Sequence, residues 1–486
     1  MVSRSPNIKR WRAFALLGIA YFITTIDLTI VNVSLPTIAH DLRLGVTNLQ
    51  WVVTAYALTL GGFLLLGGRA ADLLGRRRML MLGLAVFTGA SLGCALATTA
   101  TLLIATRAIQ GLGAAIMLPA ALSIVMGLFD EGAERNKALG IWGALGAGGG
   151  TVGLIAGGVI TRYLGWQYIF YLNVPIGAMA LVLAPRMIPD SRASAFGRRF
   201  DAIGAITGTG GLVMLVDAIS QAPRYGWGAG RTVALVALAI GLLAAFVVIE
   251  HRAKDPLLPL SIFRRGTVAA GNAAGLLLGA SFFAFVFAGT LYMQEVLHYS
   301  ALQTGLAWLA ASVTSMMCAS LSQWLVTRVG AKLVMMAGMT LIGTGIAWAT
   351  QVPVHGHFLA NLIGPFVVAG MGTSFSFIPI SVAALTGVAE HQAGIASGLL
   401  NTSQQFGAAI GIAIATSVAA SHTSAMIHAG SAGAVSLTGG FQHTFWVLSA
   451  VAFVAVPAVL ALARRRTGAG TRAAVTEARP ALAAGN

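Results

Sequence analysis

The sequence predicts an all-α polytopic membrane protein of about fourteen transmembrane helices, two six-helix halves with two helices inserted between them. Three observations carry this expectation. Only 9% of the 486 residues are charged and 57% are hydrophobic, whereas a soluble domain carries roughly 25% charged residues. Apolar runs long enough to cross a hydrocarbon slab recur along the whole chain, without the short alternation of barrel strands. The basic residues fall in short segments between those runs and sort onto one side. Lipid leaves no water for unpaired backbone groups, so continuous apolar runs must close their hydrogen bonds as helices.

The windows follow in order. The first, 13–36, comes after Arg4, Lys9, Arg10 and Arg12. It is too long for a cleaved signal, contains Asp27 and lacks a small-residue cleavage site. The second, 47–68, stops at Gly68-Arg69, and the third, 79–98, starts after Arg76-Arg77-Arg78. The fourth, 101–127, encloses Arg107, and the glycine-rich fifth, 137–160, closes before Arg162. The sixth, 166–185, runs from Trp166 to the edge of Arg186. The seventh, 202–220, lies between Asp201 and Pro223, and the eighth, 232–250, between Arg231 and Arg252. The ninth, 268–293, follows Arg264-Arg265; the tenth, 303–327, ends at Arg328; the eleventh, 333–351, lies between Lys332 and Pro353. The twelfth, 356–385, is long, and a tilt or a kink around Pro365 and Pro379 accommodates it. The thirteenth is 393–418, and the fourteenth, 442–463, ends at Arg464-Arg465-Arg466. Residues 419–441 read as an external Gly/Ala/Ser loop, and 464–486 as a disordered Ala/Arg-rich tail.

Cytoplasmic loops of membrane proteins are enriched in Lys and Arg. With a cytoplasmic N-terminus, Arg76-Arg77-Arg78, Arg198-Arg199, Arg252/Lys254/Arg264/Arg265 and Arg464-Arg465-Arg466 all land inside. Both ends are therefore expected in the cytoplasm, at a bacterial inner membrane. The formal charge of +16, which in a soluble chain would suggest nucleic acid, is explained by topology, and no nucleic-acid partner is expected. The expected partners are the bilayer and a small-molecule substrate; no oligomeric state is legible. A faint repeat relates Gly68 to Arg78 to the stretch from Gln323 through Gly330 to Lys332. Both end an apolar run with glycine followed by basic residues, between the second and third helices of a six-helix set. The expected units are an N-terminal segment 1–12, a half 13–190, an inserted pair with linker 191–266, a second half 267–463 and the tail 464–486.

Asp27 is the most informative residue. A carboxylate at membrane depth costs roughly 2.5–3.5 kcal/mol on insertion scales, so it faces a cavity or a partner. Burial favours the neutral form of a carboxyl and a nearby cation its charged form, a balance that suits a proton carrier. Arg107 is the candidate partner: it lies inside a span and keeps its charge at any physiological pH. A fixed structural ion pair is the other reading of the two. Gln110 follows Arg107 by one turn, and Thr24 shares the face of Asp27. Together with Asn32 and the thirteenth-span residues Asn401, Gln404 and Gln405, they are the candidates for a substrate cavity. Around the second-to-third connection, Gly68, Asp72, Gly75, Arg76, Arg77 and Arg78 read either as a gating network or as a topology signal alone. In the fifth span, Gly149, Gly153, Gly157 and Gly158 allow close helix packing and a hinge. The aromatic residues Phe282, Phe283, Phe285, Phe287 and Tyr292, with Trp308, Met316 and Met317, suit either adaptable binding or core.

Cys94 and Cys318 lie far apart in apolar runs and propose neither a disulfide nor a metal site. Asp217 and Glu295 stand near helix ends, and the histidines show no metal-ligand spacing. No phosphate-binding loop, nucleophile elbow or metalloprotease helix is present, so neither ATP nor enzyme chemistry is expected.

These residues, in this order, resemble the fourteen-helix drug:proton antiporters of the major facilitator superfamily. The resemblance rests on Asp27 to Pro36 in the first helix, the loop Gly68 to Arg78, Arg107 to Ala115 in the fourth helix, Gly143 to Gly158 in the fifth, and Trp166 to Gly177. Leu73 stands where the loop pattern usually has a basic residue, and Gly153-Leu154 replaces a usual Gly-Pro pair. The resemblance implies proton coupling through Asp27 and Arg107, no cofactor beyond the coupling proton, and substrate bound between two halves that expose it alternately. The implied function is export of hydrophobic or cationic drugs, or of an antibiotic; an uptake symporter or metabolite facilitator on the same fold is the alternative.

Overall fold

The structure, a computed structural model, describes residues 7–129, 132–188, 201–253, 256, 258, 262–263, 266–388 and 393–464. Among these, fourteen helices are long and apolar enough to cross a membrane. They are α1 (Lys9–Leu42), α2 (Trp51–Leu74), α3 (Arg76–Ala95), α4 (Ala100–Leu128), α5 (Lys137–Tyr163), α6 (Gln167–Met187) and α7 (Ala202–Tyr225). After them come α8 (Gly230–Arg252), α9 (Gly266–Val296), α10 (Ala301–Val329), α11 (Ala331–Ala349), α12 (Phe358–Leu385), α13 (Gly394–His428) and α14 (Gly433–Leu462). The basic pairs Arg198-Arg199, Arg264-Arg265 and Arg465-Arg466, with Lys254, lie outside the described residues, as does most of the tail.

Every expected span is present, but several are longer than their apolar windows. The region 419–441 is not a loop: α13 continues to His428 and α14 begins at Gly433. Its alanines lower hydropathy relative to leucine yet are the best helix formers, so the helices outrun the apolar signal. The expected loop at Gly68 and Asp72 is likewise helical, because α2 runs to Leu74 and α3 restarts at Arg76. Gly75 alone makes the turn, at φ 102°, and Gly330 makes the matching turn between α10 and α11 at φ 87°. Both values are sterically accessible to glycine and strained for other residues. One π-helical turn, Gly279–Phe283, interrupts α9, and a second, Tyr292–Val296, ends it.

Packing repeats between the halves. In the first, α1 packs on α5 and α6, α2 on α4, and α3 on α4 and α6; in the second, α9 packs on α13 and α14, α10 on α12, and α11 on α12 and α14. The halves meet through α2 with α13 and α5 with α10, a pair of contacts that change places when the halves are exchanged. Helix α7 pairs with α8 and leans on both α2 and α13. Hydrogen bonds also join the halves: Gln294 Nε2 of α9 donates to Val33 O of α1 at 2.8 Å, and the buried Thr402 Oγ1 of α13 to Gly61 O of α2 at 2.8 Å. Gln50, just ahead of α2, accepts from Thr416 of α13 at 2.7 Å and donates to Ser220 of α7.

Lipid tails are as apolar as leucine, so helices associate in a bilayer chiefly through close fit and small residues. The α1–α5 contact shows the fit: Gly149 sits against Phe22 and Thr25, Gly153 against Ile26 and Thr29, and Gly157 against Ile30. The matching stripe on α13 places Gly407 against Leu276 and Gly411 against Ala280 of α9. A Cβ at Gly153 would collide with Thr29 Oγ1 and stand 2.8 Å from the Ile26 carbonyl oxygen. Gly153→Val is therefore expected to destabilise by about 1–3 kcal/mol or more. Thermal unfolding in detergent measures it, with Gly140→Val, where a Cβ meets nothing within 4 Å, as the comparison. Equal stability of the two variants would refute the close-packing account.

Candidate functional site

Four helices of the first half converge on Asp27. It lies midway along α1, wholly buried, and Arg107 of α4 is 1% exposed. Arg107 Nη1 donates to Asp27 Oδ2 at 2.5 Å and to Gln110 Oε1 at 2.6 Å, while its Nε donates to Val52 O of α2 at 2.9 Å. The other carboxylate oxygen accepts from Gln110 Nε2 and from Asn173 Nδ2 of α6, both at 2.9 Å. Gln110 Nε2 also donates to Ser91 Oγ of α3 at 2.8 Å. The Tyr56 ring of α2 lies under the guanidinium, 4.3 Å from its carbon, and Phe170 of α6 approaches at 5.7 Å. A buried charged pair is tolerated when hydrogen bonds satisfy its remaining lone pairs and protons, and here they occupy both oxygens of Asp27 and the Nε and Nη1 of Arg107. Charge-assisted bonds of this length are among the stronger ones in proteins.

The structure thus brings Asp27, Arg107 and Gln110 together and adds Asn173, Ser91, Tyr56 and the Val52 carbonyl, which the sequence reading left out of the site. Gln110, expected on a cavity wall, is fully buried, because its amide matches lone pairs of Asp27 and a proton of Arg107. Thr24 and Asn32 turn back onto their own helix, donating to Tyr21 O at 2.6 Å and Leu28 O at 3.1 Å. Of the α13 candidates, Asn401 is exposed, Gln404 packs its backbone against Gly279 of α9, and Gln405 lies beside Gly61 of α2. Among the bonds found for the described residues, none joins one of these six candidates to another.

At the opposite end of the half, Gly68 lies against Pro119 of α4. Arg76 reaches Asp72 at 3.9 Å and donates to Ser123 O at 3.3 Å. Arg77 donates to Ile188 O at the end of α6 at 3.3 Å, and Arg78 is exposed. Arg135, absent from the sequence reading, donates to Met126 O at 2.9 Å and Phe129 O at 3.3 Å. Guanidinium groups at the final carbonyls of α4 and α6 meet the negative ends of those helices. Among the α5 glycines, Gly149, Gly153 and Gly157 face α1, whereas Gly158 faces Ala301 and Leu302 of α10.

The second half treats the equivalent position differently. Gly111 faces the Tyr56 carbonyl as Gly370 faces that of Ala311, and Gly113 faces Gly83 and Phe87 as Gly372 faces Gly338 and Ile342. One turn before the first of each pair stand Arg107 and Phe366. Phe366 stacks on Trp308 at 4.2 Å, with Phe285 edge-on to both. Of the aromatic residues of α9 and α10 that left binding and core open, Phe285, Phe287, Tyr292 and Trp308 are buried in the core and Phe282 and Phe283 are half-buried, while Met316 and Met317 are exposed.

The Major Facilitator Superfamily profile matches residues 17–412. The chain is 40% identical over 417 residues to the cephamycin export protein of Amycolatopsis lactamdurans, covering 85% of each. It is 37% identical over 495 residues to the puromycin resistance protein of Streptomyces alboniger, covering 98% of this chain and 96% of that one. The tetracenomycin C resistance and export protein of Streptomyces glaucescens is 29% identical over 405 residues, 83% of this chain and 75% of its own. Among solved structures, a peptide transporter of the POT family, PepTSo, superposes with TM-score 0.69 at 15% identity, covering 95% of this chain and 98% of that one. The nucleoside transporter NupG superposes with TM-score 0.64 at 13% identity, covering 93% and 98%.

Proposed function

This chain belongs to the Major Facilitator Superfamily, and from that premise we propose that it exports hydrophobic or cationic small molecules, antibiotics among them, in exchange for protons. The observation that carries the coupling is Asp27, a carboxylate without exposure whose counter-charge Arg107 cannot titrate away. A proton reaching Asp27 from outside neutralises it and weakens its bond to Arg107. The states that expose substrate outward and inward differ by a few kcal/mol, so loss of one charge-assisted bond shifts their balance and favours release outside. Deprotonation toward the cytoplasm restores the pair and resets the carrier. The glycine contact of α5 with α10, at Gly158, is where the halves rock, the α5 glycines against α1 keep the first half together, and the guanidinium contacts at the ends of α4 and α6 hold one of the two states. The sorting of basic residues supports both termini in the cytoplasm of a bacterial inner membrane, and the coupling proton is the only cofactor the cycle needs.

The activities of these relatives support export and suggest the first compounds to try. Inverted vesicles carrying the protein, loaded with a pH-sensitive dye and energised, should release protons when puromycin, a cephamycin or a lipophilic cation is added. Protein that moves any of these compounds without moving protons would sink the antiport reading. Accumulation that requires the opposite orientation of the proton gradient would replace export by uptake.

A further inference from the structure

Asp27 is held by donors only. Arg107 Nη1, Gln110 Nε2 and Asn173 Nδ2 fill its two oxygens, a set that suits a carboxylate. A protonated carboxyl adds an O–H donor and needs an acceptor in its place. Arg107 has no acceptor to offer. Gln110 is fixed at both ends of its amide: its oxygen accepts from Arg107 at 2.6 Å and its nitrogen bridges Asp27 to Ser91. Asn173 is differently placed, because its amide nitrogen reaches Asp27 alone among the bonds found for it, and half a turn of the amide presents oxygen instead.

Its position on the chain adds a second observation. The hydrogen-bond ladder of α6 is interrupted at Leu172, between Gln167–Tyr171 and Asn173–Met187, while the backbone there stays helical at φ −55° and ψ −36°. Pro175 follows and gives no N–H to the carbonyl one turn earlier. Phe170 touches the guanidinium from one side of this joint and Asn173 the carboxylate from the other. The far end of α6 carries Ile188, whose carbonyl accepts from Arg77 at the start of the neighbouring α3. The titratable and charged groups around Asp27 are Arg107 from α4, the Tyr56 phenol from α2 and the Cys94 thiol from α3; α6 contributes the neutral Asn173 and Phe170.

We infer that Asn173 is the positioning residue that reads the protonation state of Asp27, donating to the carboxylate, accepting from the acid, and bending α6 at Leu172 as it changes. This inference rests on the proton-coupled reading. Two measurements on the purified full chain, neither needing a known substrate, separate the two. The Asp27 carboxyl band, identified by its loss in Asp27→Asn, is titrated by infrared spectroscopy. The separation of the halves is followed over the same pH range by spin labels on Val182 of α6 and Leu333 of α11, both exposed, with Cys318 replaced by serine.

In the parent protein the label distance should follow the band. In Asn173→Leu the band should still titrate while the distance no longer follows it, and Asn173→Gln should restore the response in part. Asn173→Ala serves in the same way if the leucine variant does not fold. A distance that still tracks the band without the amide would reduce Asn173 to an ordinary structural bond and overturn the inference alone. An Asp27 band that does not titrate in the parent protein would remove the proton-coupled reading, and the inference with it.

Discussion

Asp27→Asn should abolish uphill export while leaving downhill movement of the same compound measurable. One charge crossing 100 mV is worth about 2.3 kcal/mol, and tenfold in concentration is about 1.4 kcal/mol. Exchanging one proton for one uncharged molecule moves one net charge and can thus hold a gradient of about 40-fold at that potential, and the variant should relax toward equal concentrations. The substitution keeps volume and leaves Arg107 with the Val52 carbonyl, the Gln110 oxygen and the Tyr56 face. Steady-state accumulation of puromycin in energised inverted vesicles measures the ratio. A variant that still concentrates the compound more than tenfold would exclude Asp27 as the coupling group. Monodisperse elution in detergent would separate this outcome from misfolding.

Arg107→Leu is the larger expected blow to the fold. Removing one member of a buried pair typically costs about 3–5 kcal/mol, because the remaining charge has no partner and no water. Here Arg107 also holds Val52 O and the oxygen of Gln110, so the loss reaches α2 as well as α1. Arg107→Lys should recover little, since an ammonium on a flexible stem cannot reproduce the planar fork that serves three acceptors. The double variant Asp27→Asn/Arg107→Leu should be more stable than Arg107→Leu alone, the two costs being non-additive. Thermal unfolding of the four proteins in one detergent checks this. Additive losses would show that the pair is not an energetic unit.

The pair was legible in the sequence because charge is rare inside apolar windows, and the few that occur must find each other or a cavity. The number of helices was legible for the related reason that each needs its own apolar length. Asn173, Ser91 and Tyr56 were not, because an amide or hydroxyl in a transmembrane helix has many uses and its partner is set by tertiary packing. Helix ends were misread where alanine and glycine lower hydropathy without stopping a helix, as at His428 and Gly433. The internal repeat was visible at Gly75 and Gly330, where backbone geometry demands glycine. It was invisible at Arg107 and Phe366, where the two halves keep the shape and change the chemistry.

The long sequence separation between Asp27 and its counter-charge has a consequence for synthesis. The two residues that bond at 2.5 Å are 80 positions apart, so the ribosome delivers the first helix well before the fourth exists. During that interval a lone acidic group must wait at the insertion machinery or enter the lipid neutralised, at a penalty of roughly 2.5–3.5 kcal/mol on insertion scales. Asn173 emerges later still, 146 positions after Asp27. The nascent first half is thus incomplete electrostatically until its sixth helix arrives, and membrane quality control has an unpaired polar group to recognise in any chain stalled before that point.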